Sequence, residues 1–143
     1  MRRRLILLRH GHADDGTPDF ERPLSLAGRE AARRAGVVLA RTGWSPELVL
    51  TSSARRALAT AELAARAAGY QGAIQADRAL YLASETQCAS ALRRLPAHTR
   101  SVWLVGHNPG LSALASELCR RPEALAPAQY ASVELELDDW GEL

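Results

Sequence analysis

The chain has 143 residues, 47% hydrophobic and 24% charged, which leads us to expect one packed core, stands well away from disordered or collagen-like compositions and excludes most multidomain enzymes. Eighteen Arg and no Lys stand against 16 acidic residues, a net charge of +2, too small an excess for a chain that mainly grips nucleic acid. Cys88 and Cys119 are too few for a disulfide framework and lack the Cys-x-x-Cys spacing of metal or redox sites, so a reducing compartment is expected.

Met1-Arg2-Arg3-Arg4 followed by Leu5-Ile6-Leu7-Leu8 imitates a signal sequence. Its apolar run ends at Arg9-His10, short of the roughly 7 to 15 residues such a signal needs. No stretch reaches the ~20 apolar residues of a membrane span. We therefore expect a cytoplasmic protein with no membrane partner.

The run Leu5–Leu8 reads as a central strand buried on both faces, and Arg2 to Arg4 as solvated residues before it. From Ser25 through Gly28 to Thr42-Gly43, apolar and charged residues alternate at helical spacing. Glu47–Thr51 reads as a second strand, Ala54–Ala68 as an alanine-rich helix closed by Gly69, and Gly72–Asp77 as a weak strand. Glu85–Arg94 is a helix ended by Leu95-Pro96, Ser101–Val105 a strand, and Leu111 to Cys119 a helix. Ser132–Leu137 alternates strictly, as a strand at a sheet edge does. Strands alternating with helices predict one α/β domain over residues 1–143, a three-layer α/β/α sandwich with a mainly parallel sheet.

In such a sheet the loops leaving the carboxyl ends of the strands line one crevice. Here those loops carry Arg9 and His10, then Ser52, Arg55 and Arg56, then His107 and Asn108. Two imidazoles and at least two guanidiniums with no carboxylate among them make a pocket for a dianion. Arg56 falls in the first turn of its helix, where free backbone N–H groups and the dipole already favour phosphate. Guanidinium forks match phosphate oxygens in pairs. A neutral imidazole at phosphorus can attack in line and form a phosphoenzyme, and His10 is the candidate, with Gly11 giving a tight turn beside it. Arg9 and His107 would hold phosphoryl oxygens, and no metal or cofactor is required.

These residues also form a recognisable series. Leu8-Arg9-His10-Gly11 resembles the Arg-His-Gly signature of the histidine phosphatase (phosphoglycerate mutase-like) superfamily. Arg22-Pro23-Leu24-Ser25 followed by Gly28 is similar to a segment of its short SixA-type phosphohistidine phosphatases. Ser52 to Thr60 resembles the Ser-Pro-x-x-Arg-Ala-x-x-Thr segment, with Ser53 in place of proline, and Gly106-His107-Asn108-Pro109 resembles the Gly-His-Asn-Pro turn. The resemblance implies a phosphoglycerate mutase-like fold, His10 as the phosphorylated residue, and Arg9, Arg56 rather than Arg55, and His107 as phosphate ligands.

Larger members that cleave phosphate esters use a mid-chain carboxylate as general acid, and Glu85 is the nearest candidate here. A phosphohistidine substrate reduces that need, because imidazole leaves far more readily than an alkoxide. The expected partner is thus a phosphorylated protein carrying phosphohistidine, with a small phosphate ester as the alternative; oligomeric state has no sequence signal. Two other classes compete. His10-Gly11-His12-Ala13-Asp14-Asp15 approaches a zinc hydrolase pattern but lacks its last histidine. A binding module that recognises phosphorylated partners would need the arginines and not His10.

Overall fold

The computed structural model describes residues 1–143 and arranges them as a five-stranded sheet between two pairs of helices. The elements are β1 (Arg2–Arg9), α1 (Leu26–Arg41), β2 (Leu48–Ser52), α2 (Arg55–Ala67), β3 (Ile74–Asp77), α3 (Glu85–Arg93), β4 (Ser101–Gly106), α4 (Gly110–Cys119) and β5 (Tyr130–Glu136). The sheet runs β3-β2-β4-β1-β5, parallel except for β5, which pairs antiparallel with β1 at the edge. This is the expected three-layer α/β/α sandwich. No helix is long and apolar enough to cross a membrane.

The central strands alternate their side chains between two separate cores. Leu5, Leu7, Leu50, Val102 and Leu104 meet α3 and α4 on one face. Ile6, Leu8, Val49, Trp103 and Val105 meet α1 and α2 on the other. Alanines and glycines let α1 and α2 approach closely: a Cβ at Gly36 would lie 2.0 Å from the Ala64 carbonyl oxygen. The helix ends follow the chemistry of their caps. Ser25 accepts from the Gly28 amide at the start of α1, and Gly43 and Gly69, both at φ +84°, follow the ends of α1 and α2.

The first strand starts at Arg2 rather than Leu5, and Arg3 is fully buried instead of solvated. Its guanidinium donates to the carbonyls of Leu137 at 3.1 Å and Thr99 at 2.8 Å, and to those of Ala97 and Asp138, while lying 5.7 Å from the Trp140 ring. Four carbonyls on two loops supply the solvation that burial removes.

Candidate active site

Register places the two histidines side by side. In the parallel β1–β4 pair Arg9 lies opposite Gly106, so the next residues, His10 and His107, leave adjacent strand ends together. The His10 amide donates to the Gly106 carbonyl at 3.1 Å, and the ring centroids stand 5.1 Å apart. β2 ends beside β4, which brings the buried Ser52 hydroxyl within 2.8 Å of His107 Nε2. Arg56, in the first turn of α2 and 3% exposed, brings its Nε to 3.4 Å from His10 Nε2.

The loop carrying His10 is braced from two sides. The Gly11 amide donates to Thr60 Oγ1 at 3.0 Å, whose hydroxyl donates to the Arg56 carbonyl at 2.7 Å. From the other side, the Ser25 amide and hydroxyl both donate to the His12 carbonyl, at 3.0 and 3.1 Å. Gly11 and Gly28 touch backbone to backbone: a Cβ on Gly28 would sit 2.2 Å from the His12 oxygen, and one on Gly11 2.9 Å from the Gly28 oxygen. The Arg22-Pro23-Leu24-Ser25 segment and Gly28 therefore fix the loop that bears His10, in addition to leading into a helix.

These elements enclose a cleft of about 350 Å³ lined by Arg9, His10, Arg22, Arg56, His107 and Asn108, with Asp15 at its exposed rim. Arg9 is held by the segment before β5: its Nη1 donates to the Leu125 carbonyl at 3.0 Å, and the Ala128 amide meets the carbonyls of Arg9 and His10 at 3.1 Å each. His10 Nδ1 faces the Gly11 carbonyl at 2.7 Å. A carbonyl only accepts, so the proton sits on Nδ1 and the Nε2 lone pair faces Arg56. Arg9 Nε and His107 Nδ1 are buried without any hydrogen-bond partner. Two unpaired nitrogens in one site are what a bound oxyanion satisfies.

Burial is the main reason that both imidazoles are neutral. It pushes the His10 pKa down to about 4, with Arg56 and Arg9 adding to the effect, and that of His107 down to about 3, with His10 and Arg56 adding. Asp19 lies at the opposite extreme. A hydrogen bond from Tyr81, then those from Arg56 and Arg22, hold its carboxyl well below the usual carboxylate range.

Arg9, His10, Arg56 and His107 thus converge as expected, whereas Glu85 does not join them. As the first residue of α3 it borders a separate hollow with Glu117, Leu114 and Leu143, and a hydrogen bond with Glu117 raises its carboxyl pKa. The turn before α3 sits tightly on the start of α4, where a Cβ at Gly110 would lie 2.0 Å from the Ala83 oxygen, and Glu85 leaves that turn toward Leu114 and Glu117 of α4. Nor do His10, His12 and Asp14 gather as metal ligands: His12 Nδ1 pairs with Ser25 Oγ at 2.9 Å, and no three His, Cys, Asp or Glu residues are placed to hold a metal ion. Sequence motifs give no sign of Asp19 or Tyr81, and they mark Arg22 only as part of the Arg22-Pro23-Leu24-Ser25 segment. The one available signal for Asp19 is its position three residues before Arg22.

Comparison with known proteins agrees with this geometry. The profile of the histidine phosphatase superfamily (branch 1) matches residues 5–81. An uncharacterized chloroplastic protein of Arabidopsis thaliana is 30% identical over 98% of this chain and 70% of its own. Among solved structures, a protein provisionally named phosphohistidine phosphatase SixA from Nakamurella multipartitia superposes with a TM-score of 0.84 at 24% identity, covering 99% of this chain and 89% of that one. The protein histidine phosphatase SixA complexed with tungstate gives 0.81 at 25% identity, covering 90% and 86%. With its motifs, fold and cleft all in agreement, the chain belongs to the histidine phosphatase superfamily, resembles its SixA-type members, and is a phosphatase.

Proposed function

We propose that this phosphatase removes phosphate from phosphohistidine on a partner protein by way of a phosphohistidine on its own His10. The observation that carries the reading is the pairing of a neutral His10, its Nε2 unprotonated, with Arg9, Arg56 and His107 in one cleft. His10 Nε2 attacks phosphorus in line. The N–P bond to His10 forms while the N–P bond of the substrate breaks, and the electron pair stays on the departing imidazole nitrogen, which takes a proton from solvent. Water then attacks the phosphoenzyme, releasing inorganic phosphate and restoring His10.

Arg9, Arg56 and His107 hold the equatorial oxygens throughout, where negative charge gathers in the transition state. With Ser52 donating to His107 Nε2, the free Nδ1–H is the donor that His107 offers. None of these steps calls for a metal. An imidazole leaving group needs no buried acid, and the cleft lining contains none; its one carboxylate, Asp15, is exposed. That same Asp15 supports a second reading, hydrolysis of a small phosphate ester, in which it would protonate the leaving oxygen.

The test compares a phosphohistidine-bearing protein domain with a panel of small phosphate esters, in excess chelator, using wild type and His10→Ala. We expect the phosphoprotein to be preferred, activity to vanish in the variant, and label to be trapped on one histidine. Preference for an ester would favour the second reading. Phosphate binding without turnover would identify a recognition module, and loss of activity in chelator a metal enzyme.

A further inference from the structure

Arg56 is held on both terminal nitrogens by a single residue. Its Nη1 donates to the Asp19 carbonyl at 2.8 Å and its Nη2 to Asp19 Oδ2 at 3.0 Å, which leaves Nε aimed at His10. The carboxylate is fixed in turn from two directions: the Tyr81 hydroxyl donates to Oδ2, and Arg22 Nη1 to Oδ1 at 3.2 Å. Tyr81 stands edge-on to the His107 ring with centroids 5.5 Å apart, and edge-on to Phe20 at 5.0 Å. Asp19 thus joins His107, through Tyr81, to Arg56 and His10.

Each terminal nitrogen of Arg56 carries two hydrogens, so one on each stays free for phosphoryl oxygens. Fixing a long side chain costs rotamer entropy, and here that cost falls at folding instead of when phosphate arrives. The same carboxylate is an anion beside the place where a dianion binds. It therefore opposes phosphate electrostatically while orienting the guanidinium that receives it.

We propose that Asp19 is a positioning residue that sets the orientation of Arg56 toward His10 and, as a fixed anion, limits retention of free phosphate after hydrolysis. The proposal rests on the phosphatase reading of the cleft. Its test uses the full chain as wild type, Asp19→Asn, Asp19→Ala and Tyr81→Phe. The measurements are kcat and KM on phosphoramidate, a small phosphoryl donor with a P–N bond, the Kd of inorganic phosphate by calorimetry, and melting temperature.

Asp19→Asn keeps an oxygen for Arg56 and removes the charge, so it should bind inorganic phosphate about tenfold tighter and retain kcat within about threefold. Asp19→Ala removes the Oδ2 partner of Nη2 and leaves only the main-chain carbonyl on Nη1, so the guanidinium can turn about that one bond and kcat should fall at least about tenfold. Tyr81→Phe keeps the ring against His107 and should lose about threefold. Wild-type kcat in Asp19→Ala overturns the proposal. So does a parallel loss of kcat and phosphate affinity in both Asp19 variants, the pattern of a purely structural tie. Failure of the phosphatase reading itself would look different, with wild type binding phosphate but leaving phosphoramidate intact. The phosphate affinity of Asp19→Asn then decides: an affinity no tighter than wild type overturns the role of Asp19.

Discussion

Gly28→Ala tests the bracing of the His10 loop by a residue that touches no substrate. The added Cβ would lie 2.2 Å from the His12 carbonyl oxygen, a backbone atom that cannot rotate away. An ordinary contact needs the loop to retreat by about 1 Å, which strains or breaks the Ser25 amide and hydroxyl bonds to the same oxygen. Overpacking with loss of one of these bonds costs about 3 kcal/mol. For a chain of this size that lowers the melting temperature by ~10 °C. The same 1 Å displacement, two residues from His10, should cost roughly 100-fold in turnover. Differential scanning calorimetry and turnover well below the melting temperature would measure both. Gly16→Ala is the control, because its Cβ would meet only Arg22 Cγ at 3.7 Å. If Gly28→Ala melts and turns over like Gly16→Ala, the bracing argument is wrong.

Arg56→Ala and His107→Ala should each lower turnover about 100-fold or more by removing charge stabilisation from the transition state, with rates read in single-turnover assays. Glu85→Gln should leave kcat and KM within about twofold of wild type, because Glu85 borders a different hollow; a larger loss would return it to the reaction. Acid should destabilise the fold through His10 and His107. Their folded pKa values, about 4 and about 3, lie below the ordinary 6.5 of an unfolded chain, so between these values only the unfolded state takes up protons. Their contribution is fully present above pH 6.5 and is lost as pH falls toward 4 and then 3, by up to ~1.4 kcal/mol per pH unit for each. Imidazole NMR of the free protein should find both rings neutral at pH 6; titration of both near 6.5 would contradict the burial argument.

Most of the scaffold was legible because strands and helices leave periodic traces. Leu5 to Leu8 marks a strand buried on both faces, and the alternation from Ser132 marks the edge strand, whose antiparallel direction only the pairing with β1 reveals. The four clustered site residues were legible because parallel topology dictates that loops at one end of the strands meet. Arg3 was not, since its partners are carbonyls from loops about a hundred residues away, and carbonyls have no sequence signature. Asp19 and Tyr81 were hidden for a similar reason. They sit beside or within single turns of 3₁₀ helix, too short for any period, and their meaning appears only when the two turns come together. The direction of Glu85 is invisible in sequence because a mid-chain position at the start of a helix does not say which way that helix faces.

The order of strands in the sheet also governs when the site can exist. β4 inserts between β2 and β1, so the strand bearing His10 has neither of its neighbours until the last third of the chain is available. During synthesis at ~5 to 20 residues per second, β1 waits about 5 to 20 s for β4 to emerge. Pairings of such long sequence separation are slow to form. A fragment ending after β3 would carry Arg9, His10 and Arg56 and still have no cleft. Turnover in this protein therefore reports the seating of β4 and of the chain that follows it beside β1 more faithfully than helix content does.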